Sequence, residues 1–378
     1  MPLELIDNPK SASSALGDMS GVRELAVDTE GASFHRFVDR VYLLQLSTRQ
    51  QSAIIDPLAV SAEFLSPLGA LLESADVETV FHDADYDLRL LRRDYGWKIR
   101  RIFDTRVAAQ LLGIKAFGLA ALLERYFGVK LDKKHQRADW SMRPLPRDML
   151  DYAEQDTRYL LELKDHISDE LEKKGRLAWV REECERLEDT KWADEDAGGA
   201  FLRIKGARDL SRRELAVLRE LHAWRDSVAR ELDRATFRVI GKEQLLDLSR
   251  TQPSTPKSLG QTKGASRALL DRRSGEIIDA VRRGLEAPED DLPKFPKSPR
   301  WDRDPHFDER VNKVKTARDA MAVQLDLDPG VLCARERMEA VARKNPQSRE
   351  QLAEVTELRR WQADVLGPSI LAALQGST

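Results

Sequence analysis

The stretch LAVDTEG, residues 25–31, decides how the first half of the chain is read. An apolar run of strand length leads to Asp28 and Glu30, one position apart, and a glycine follows. Side chains alternate across a strand, so the two carboxylates project from the same face near its carboxyl end. Like charges placed there repel unless something positive sits between them. The pair is either a solvated strand end that turns at Gly31 or half of a metal site, and the second reading requires further carboxylates elsewhere.

Outward from this stretch, ELAVDTE, VYLLQLST and SAIIDP are apolar runs at close spacing and predict an antiparallel meander. AEFLSPLGALLES has helical spacing, VETVFHD reads as a strand, ADYDLRLLRRDYG as a helix and RIFDT as a strand. Strands that come to alternate with helices predict an α/β layer architecture, in which ligands gather at the carboxyl ends of strands. The helix after TVFHD has Ala84, Leu88 and Leu91 as its apolar stripe. Asp83 is placed to cap it, and Asp87 lies beside the stripe in the first turns, where a carboxylate looks back across the strand ends. In DYAEQDTRYLLEL, Tyr152 and Asp156 are four apart and share a helix face. Taken alone, that pair also fits an ordinary amphipathic helix.

A chain of 378 residues, 41% hydrophobic and 34% charged, predicts two or three globular domains with highly charged surfaces. No run is apolar for the length of a membrane span and the N-terminus has no export pattern. Cys184 and Cys333 stand far apart in no metal-like spacing, which fits a reducing compartment. A cytoplasmic protein is the expectation. The net charge of −3 hides an asymmetry, with 28 Lys and Arg against 34 Asp and Glu over residues 1–192, but 18 against 12 over residues 204–286. The basic second part is a candidate grip on a phosphate backbone, or else a solvated helical surface.

Two breaks divide the chain: ADEDAGGA, residues 193–200, and APEDDLPKFPKSPRWDRDP, residues 287–305, whose five prolines forbid a regular helix. Shifted by 93 positions, residues 218–259 overlay residues 311–352 without a gap, pairing Val239 with Leu332, Leu245 with Met338, Leu248 with Val341, Arg250 with Arg343, Pro253 with Pro346 and Leu259 with Leu352. Each copy opens on a helical pattern and continues through shorter helical pieces, predicting two similar all-helical domains.

Together these residues resemble a known family. Asp28 and Glu30 after a strand, Asp87 in FHDADYDL, and Tyr152 with Asp156 in YAEQD are similar to the three exonuclease motifs of the DEDD superfamily, in its tyrosine-containing branch. The sister branch places histidine five residues before the last aspartate, where this chain has Asp151. FDT at residues 103–105 and LDKKHQRADWSMRPLP resemble the ribonuclease D family, and the repeated module resembles the HRDC (helicase and RNase D C-terminal) domain. The resemblance implies an α/β ribonuclease H-like exonuclease domain, a mixed sheet flanked by helices, over residues 1–192. An HRDC domain at 204–286, a proline-rich linker at 287–305 and a second HRDC-like helical domain at 306–378 would follow.

It also implies chemistry. Four clustered carboxylates call for hard divalent cations, and two ions about 4 Å apart stabilise both the attacking and the leaving oxygen at phosphorus. On that resemblance Asp28, Glu30, Asp87 and Asp156 hold two Mg²⁺ or Mn²⁺ ions, and Tyr152 orients the attacking water. The implied activity is metal-dependent 3′→5′ trimming of RNA with a single-stranded 3′ end, tRNA precursors foremost, releasing nucleoside 5′-monophosphates. A DNA exonuclease of repair and a non-catalytic RNA-binding scaffold are the alternatives. Gln45, His82, Arg137 and Trp140 are candidate substrate contacts: KKHQRADW mixes cations with an aromatic beside the active-site helix, and single strands are commonly held that way. Packing roles for Gln45 and Trp140, and a buried hydrogen bond for His82, are the competing readings.

Overall fold

The computed structural model describes residues 4–132, 134–192, 199–261, 267–296 and 304–376. Among them, a six-stranded sheet runs in the order β1-β4-β3-β2-β5-β6, formed by β1 (Leu5–Ile6), β2 (Glu24–Glu30), β3 (Leu43–Ser47), β4 (Ser52–Ile55), β5 (Glu78–Phe81) and β6 (Ile102–Asp104). The predicted meander is the antiparallel trio β2-β3-β4. β5 and β6 join β2 in parallel, and β1, too short to show in the sequence, pairs in parallel with β4.

The helices of this part are α1 (Pro9–Asp18), α2 (Ala62–Leu72), α3 (Asp85–Tyr95), α4 (Thr105–Leu112), α5 (Leu119–Phe127), α6 (Arg147–Arg158), α7 (Leu160–Lys173) and α8 (Leu177–Leu187). Alternation along β2 sorts them. Leu25 and Val27 join Leu44, Leu46 and Ile55 in the large core, together with Leu16, Leu65, Leu68 and Leu72 from α1 and α2. The other face carries Asp28, Glu30, Leu43, Gln45 and Ile54. There α6 seals a smaller core through Met149, Leu150 and Ala153. α7 continues along that face, its buried Lys164 held between Glu24 of β2 and Glu78 of β5.

The 93-residue repeat is realised in full. α9 (Arg212–Glu231), α10 (Thr236–Val239), α11 (Lys242–Thr251), α12 (Pro256–Leu259) and α13 (Arg267–Glu286) recur as α14 (Phe307–Leu325), α15 (Pro329–Leu332), α16 (Arg335–Lys344), α17 (Arg349–Ala353) and α18 (Arg360–Gln375). α15 to α18 each begin 93 positions after α10 to α13. The turns repeat as well, with Asp233 and Asp326 at φ 44° and 52°, and Gln252 and Asn345 at φ 47° and 48°.

The two copies differ in where they pack. The first builds its own core around Leu218, Leu221, Leu245, Leu248 and Ile277. The second shares one continuous core with the exonuclease domain, from Leu111 and Val180 to Val314, Leu332 and Leu366. Trp179 of α8 stacks on Trp361 of α18 at 4.7 Å, Arg359 reaches Glu183, and Arg176 donates to the Leu325 carbonyl at 2.6 Å.

The first predicted break lies outside the described residues except at its last two positions. The described part of the second is not a free tether. After a short 3₁₀ turn, Glu289–Asp291, Leu292 is buried, and Arg212 donates to the carbonyls of Glu289 and Leu292. Among the described residues, no helix is long and apolar enough to cross a membrane.

Candidate active site

Three of the five residues singled out by their motifs meet directly. Carboxylate oxygens of Asp28, Glu30 and Asp156 lie within 4.8 Å of one another. β2 delivers the first two from one face of its carboxyl end, and α6 brings Asp156 across that face, with Tyr152 one turn earlier.

Asp87 completes the group from the first turn of α3. Its Oδ1 accepts from the Thr29 amide at 3.0 Å and from the Thr29 hydroxyl, so the residue between the two β2 acids fixes the third. Asp83 does not cap α3 as expected. It sits at φ 71° and pairs with Arg106. The amides just ahead of α3 are held by buried Asp104, which accepts from Asp83 and Ala84 at 3.1 and 2.8 Å and, as the cap of α4, from Arg106 and Val107. One carboxylate at the end of β6 thus caps α4 and fixes the two residues that lead into α3, the helix that carries Asp87.

Electrostatics mark this as a site without countercharge among the described residues. Burial, then Asp156, holds the Asp28 carboxyl well above the usual range. Burial, then Asp28, Asp156 and Asp87, does the same to Glu30, and burial followed by Asp28 does so to Asp87. Asp156 is pushed up to about 7 by burial and then Asp87, with the Tyr152 hydroxyl pulling the other way. The Tyr152 phenol is itself raised, first by burial and then by Asp156, Glu30 and Asp28. No cationic side chain is among the groups that shift the four carboxylates.

Gln45 pairs in register with Asp28 and is fully buried, yet neither polar atom of its amide has a partner. An orphaned buried amide beside an all-oxygen, net-negative donor set fits a centre completed by bound hard cations and their water.

The remaining candidates fall differently. His82 Nδ1 lies 2.9 Å from the Thr105 hydroxyl, and burial, then Arg106, pulls its pKa down to about 4, in agreement with the hydrogen-bonding reading. Trp140 is 1% exposed, packed with Tyr42, Leu43 and Met149 and 6.1 Å from the Tyr152 ring. Its faces are occupied by protein, so it offers no platform to a base. Arg137 is exposed, its guanidinium 5.3 Å from the centre of the Phe34 ring. Lys133 lies outside the described residues.

The sequence reading assigned no role to Thr29 or Asp104 and placed His135 in a polar loop without a catalytic part. The His135 ring meets Tyr152 edge-on at 5.8 Å while its Nε2 reaches Asp148. Thr29 carried a signal, a hydroxyl between two acids on a strand that otherwise alternates, and Asp104 stood inside the FDT motif.

A mixed sheet with four carboxylates and a tyrosine at its strand ends, continued by paired helical modules, defines a 3′–5′ exonuclease joined to HRDC domains. The family model described as 3′-5′ exonuclease matches residues 3–172, and the HRDC domain model matches residues 214–281 and 307–374. Ribonuclease D of Granulibacter bethesdensis is 32% identical over 93% of this chain and 87% of its own length. The chain belongs to the ribonuclease D family and is a divalent-metal-dependent 3′→5′ exoribonuclease.

Solved structures agree. Escherichia coli RNase D, described as an exoribonuclease involved in structured RNA processing, superposes over 99% of both chains with a TM-score of 0.73 at 25% identity. A protein from Bifidobacterium adolescentis, at 24% identity, shares the fold over 99% of this chain with a TM-score of 0.83. Exosome complex component 10 of Rattus norvegicus is 34% identical over 71% of this chain but only 31% of its own length.

Proposed function

We propose that Asp28, Glu30, Asp87 and Asp156 hold two divalent ions, Mg²⁺ or Mn²⁺, and that the enzyme trims the single-stranded 3′ ends of structured RNAs, tRNA precursors foremost. The observation that carries this reading is the meeting of Asp28, Glu30 and Asp156, with Asp87 pinned beside them by Thr29 and, among the described residues, no cationic side chain shifting the four carboxylates. When bound, such ions supply the positive charge that activates water and stabilises the oxygens at the reacting phosphorus. The protein's own part is to orient. Tyr152, its phenol raised, stays protonated at neutral pH and serves as a hydrogen-bond donor that positions the attacking water, not as a base. Thr29 and Asp104 hold Asp87 in place, and the unpartnered Gln45 amide is free to bind water beside Asp28.

The domain boundaries that go with this reading are residues 1–192 for the exonuclease domain, 204–286 and 306–378 for the helical domains, and 287–305 between them. The compartment is the cytoplasm, in keeping with Cys184 and Cys333, both buried and unpaired. The test is a degradation assay on 3′- and 5′-labelled RNA and DNA of one sequence, with Mg²⁺ or Mn²⁺ and with EDTA, for wild type and Asp28→Asn. We expect stepwise loss from the 3′ end of RNA, released as nucleoside 5′-monophosphates, and a loss of several orders of magnitude in the variant. Undiminished turnover by Asp28→Asn would overturn the metal assignment, and preference for DNA would overturn the substrate.

A further inference from the structure

The loop that leaves Glu30, residues 31–42, is where the exonuclease domain meets the first helical domain. The junction is closed by polar bonds and one packed ring. The Phe37 amide donates to Asp233 at 3.3 Å, Arg36 pairs with the same carboxylate, and the Ala235 amide donates to the His35 carbonyl at 3.2 Å. The Phe37 ring packs against the helical core beneath the Arg230 guanidinium, 4.8 Å from its centre.

Two further rings remain half in solvent at the edge of this closed junction. Phe34 is 45% exposed and Phe237 of α10 is 53% exposed, and they stand edge to face at 6.3 Å. Guanidinium groups flank both, Arg137 at 5.3 Å from the centre of Phe34 and Arg238 at 6.0 Å from that of Phe237.

We infer that this seam is a binding subsite for the RNA strand upstream of its 3′-terminal dinucleotide, with bases stacking on Phe34 and Phe237 and phosphates meeting Arg137 and Arg238. Placement supports it. Phe34 is four residues beyond Glu30 and therefore within about 14 Å of it along the chain, and Arg137 stands in the loop that leads into the helix bearing Tyr152 and Asp156. Chemistry selects the occupant. Exposed rings flanked by cations suit a single strand, because every base has a face to stack and every linkage a negative charge. The patch is two rings wide, too small and too cationic at its rim for a typical protein interface.

The proposal rests on the assignment of RNA as substrate, and its test separates the two. Full-length wild type, Phe34→Ala, Phe237→Ala and Phe237→Trp are assayed with Mg²⁺ on a dinucleotide, too short to reach the seam, and on a ten-nucleotide oligoadenylate, with melting temperatures measured in parallel. Both alanine variants should raise KM on the longer RNA on the order of tenfold and leave kcat, the dinucleotide constants and the melting temperature unchanged, and Phe237→Trp should restore KM. An unchanged KM on the longer RNA refutes the subsite while leaving the exoribonuclease assignment intact. An equal rise on both substrates with a lower melting temperature refutes it too, making the rings packing residues. If wild type degrades neither RNA, the assignment itself fails.

Discussion

Replacing Asp156 by Asn tests whether the acidic cluster is held together against its own repulsion. A carboxyl whose pKa is higher folded than unfolded favours folding only while protonated. Its contribution is whole below the unfolded value and is lost as pH rises through the folded one. For Asp156 that window runs from its ordinary 3.8 to about 7, and Asp28, Glu30 and Asp87 shift in the same direction. About three pH units at about 1.4 kcal/mol each set a ceiling of about 4 kcal/mol. Because the four groups share protons and relax together, half of that, about 2 kcal/mol, is the working value. At about 2–4 °C per kcal/mol for a unit of this size, Asp156→Asn should melt about 4–8 °C higher than wild type in EDTA at pH 8. At pH 4 the two should melt together. Added Mg²⁺ should raise wild type by mass action and the variant much less. Differential scanning fluorimetry across pH, with and without metal, reads all of this. A variant that melts lower than wild type by the same amount at both pH values would refute the electrostatic account.

Tyr152→Phe should lower kcat about a hundredfold with KM and melting temperature nearly unchanged; steady-state kinetics on a short RNA checks it, and normal turnover would remove the hydroxyl from the chemistry. Gln45→Leu deletes an amide whose two polar atoms are unpartnered, so calorimetry should show a metal-free protein at least as stable as wild type while the activity assay shows a loss of tenfold or more. Trp361→Ala removes a buried ring stacked on Trp179 of the exonuclease domain. It should cost about 3 kcal/mol and lower the first melting transition by about 10 °C, which thermal melts would show.

How much was legible in advance depended on whether a feature was local. Alternation along β2 placed Asp28 and Glu30 on one face, and a four-residue helical offset joined Tyr152 to Asp156, because both rules act within one element. The repeat announced matching helices, and the structure adds matching left-handed residues at Asp233 and Asp326. Contacts across elements were hidden. Asp104 caps α4 and also binds the two amides that lead into a helix 20 residues earlier in the chain, a contact its own surroundings do not announce. Trp140 looked like a stacking platform because it follows cations, but Arg143, bonded to Asp56 and to the carbonyls of Tyr42 and Trp140, folds that loop down and buries the ring. The copies of the repeat read alike, yet only the second presents Trp361 to α8. Which surface an amphipathic helix covers is a property of the partner as much as of the helix.

That last packing has a consequence in time. The core of the catalytic domain includes Val314, Leu332 and Leu366, so it is still incomplete when α8 emerges from the ribosome. At about 5–20 residues per second, the roughly 190 residues between α8 and the end of α18 take about ten to forty seconds to synthesise. Throughout that interval an RNA-degrading domain is tethered to the message that encodes it. The fold keeps that core short of its final packing until α18 has been made.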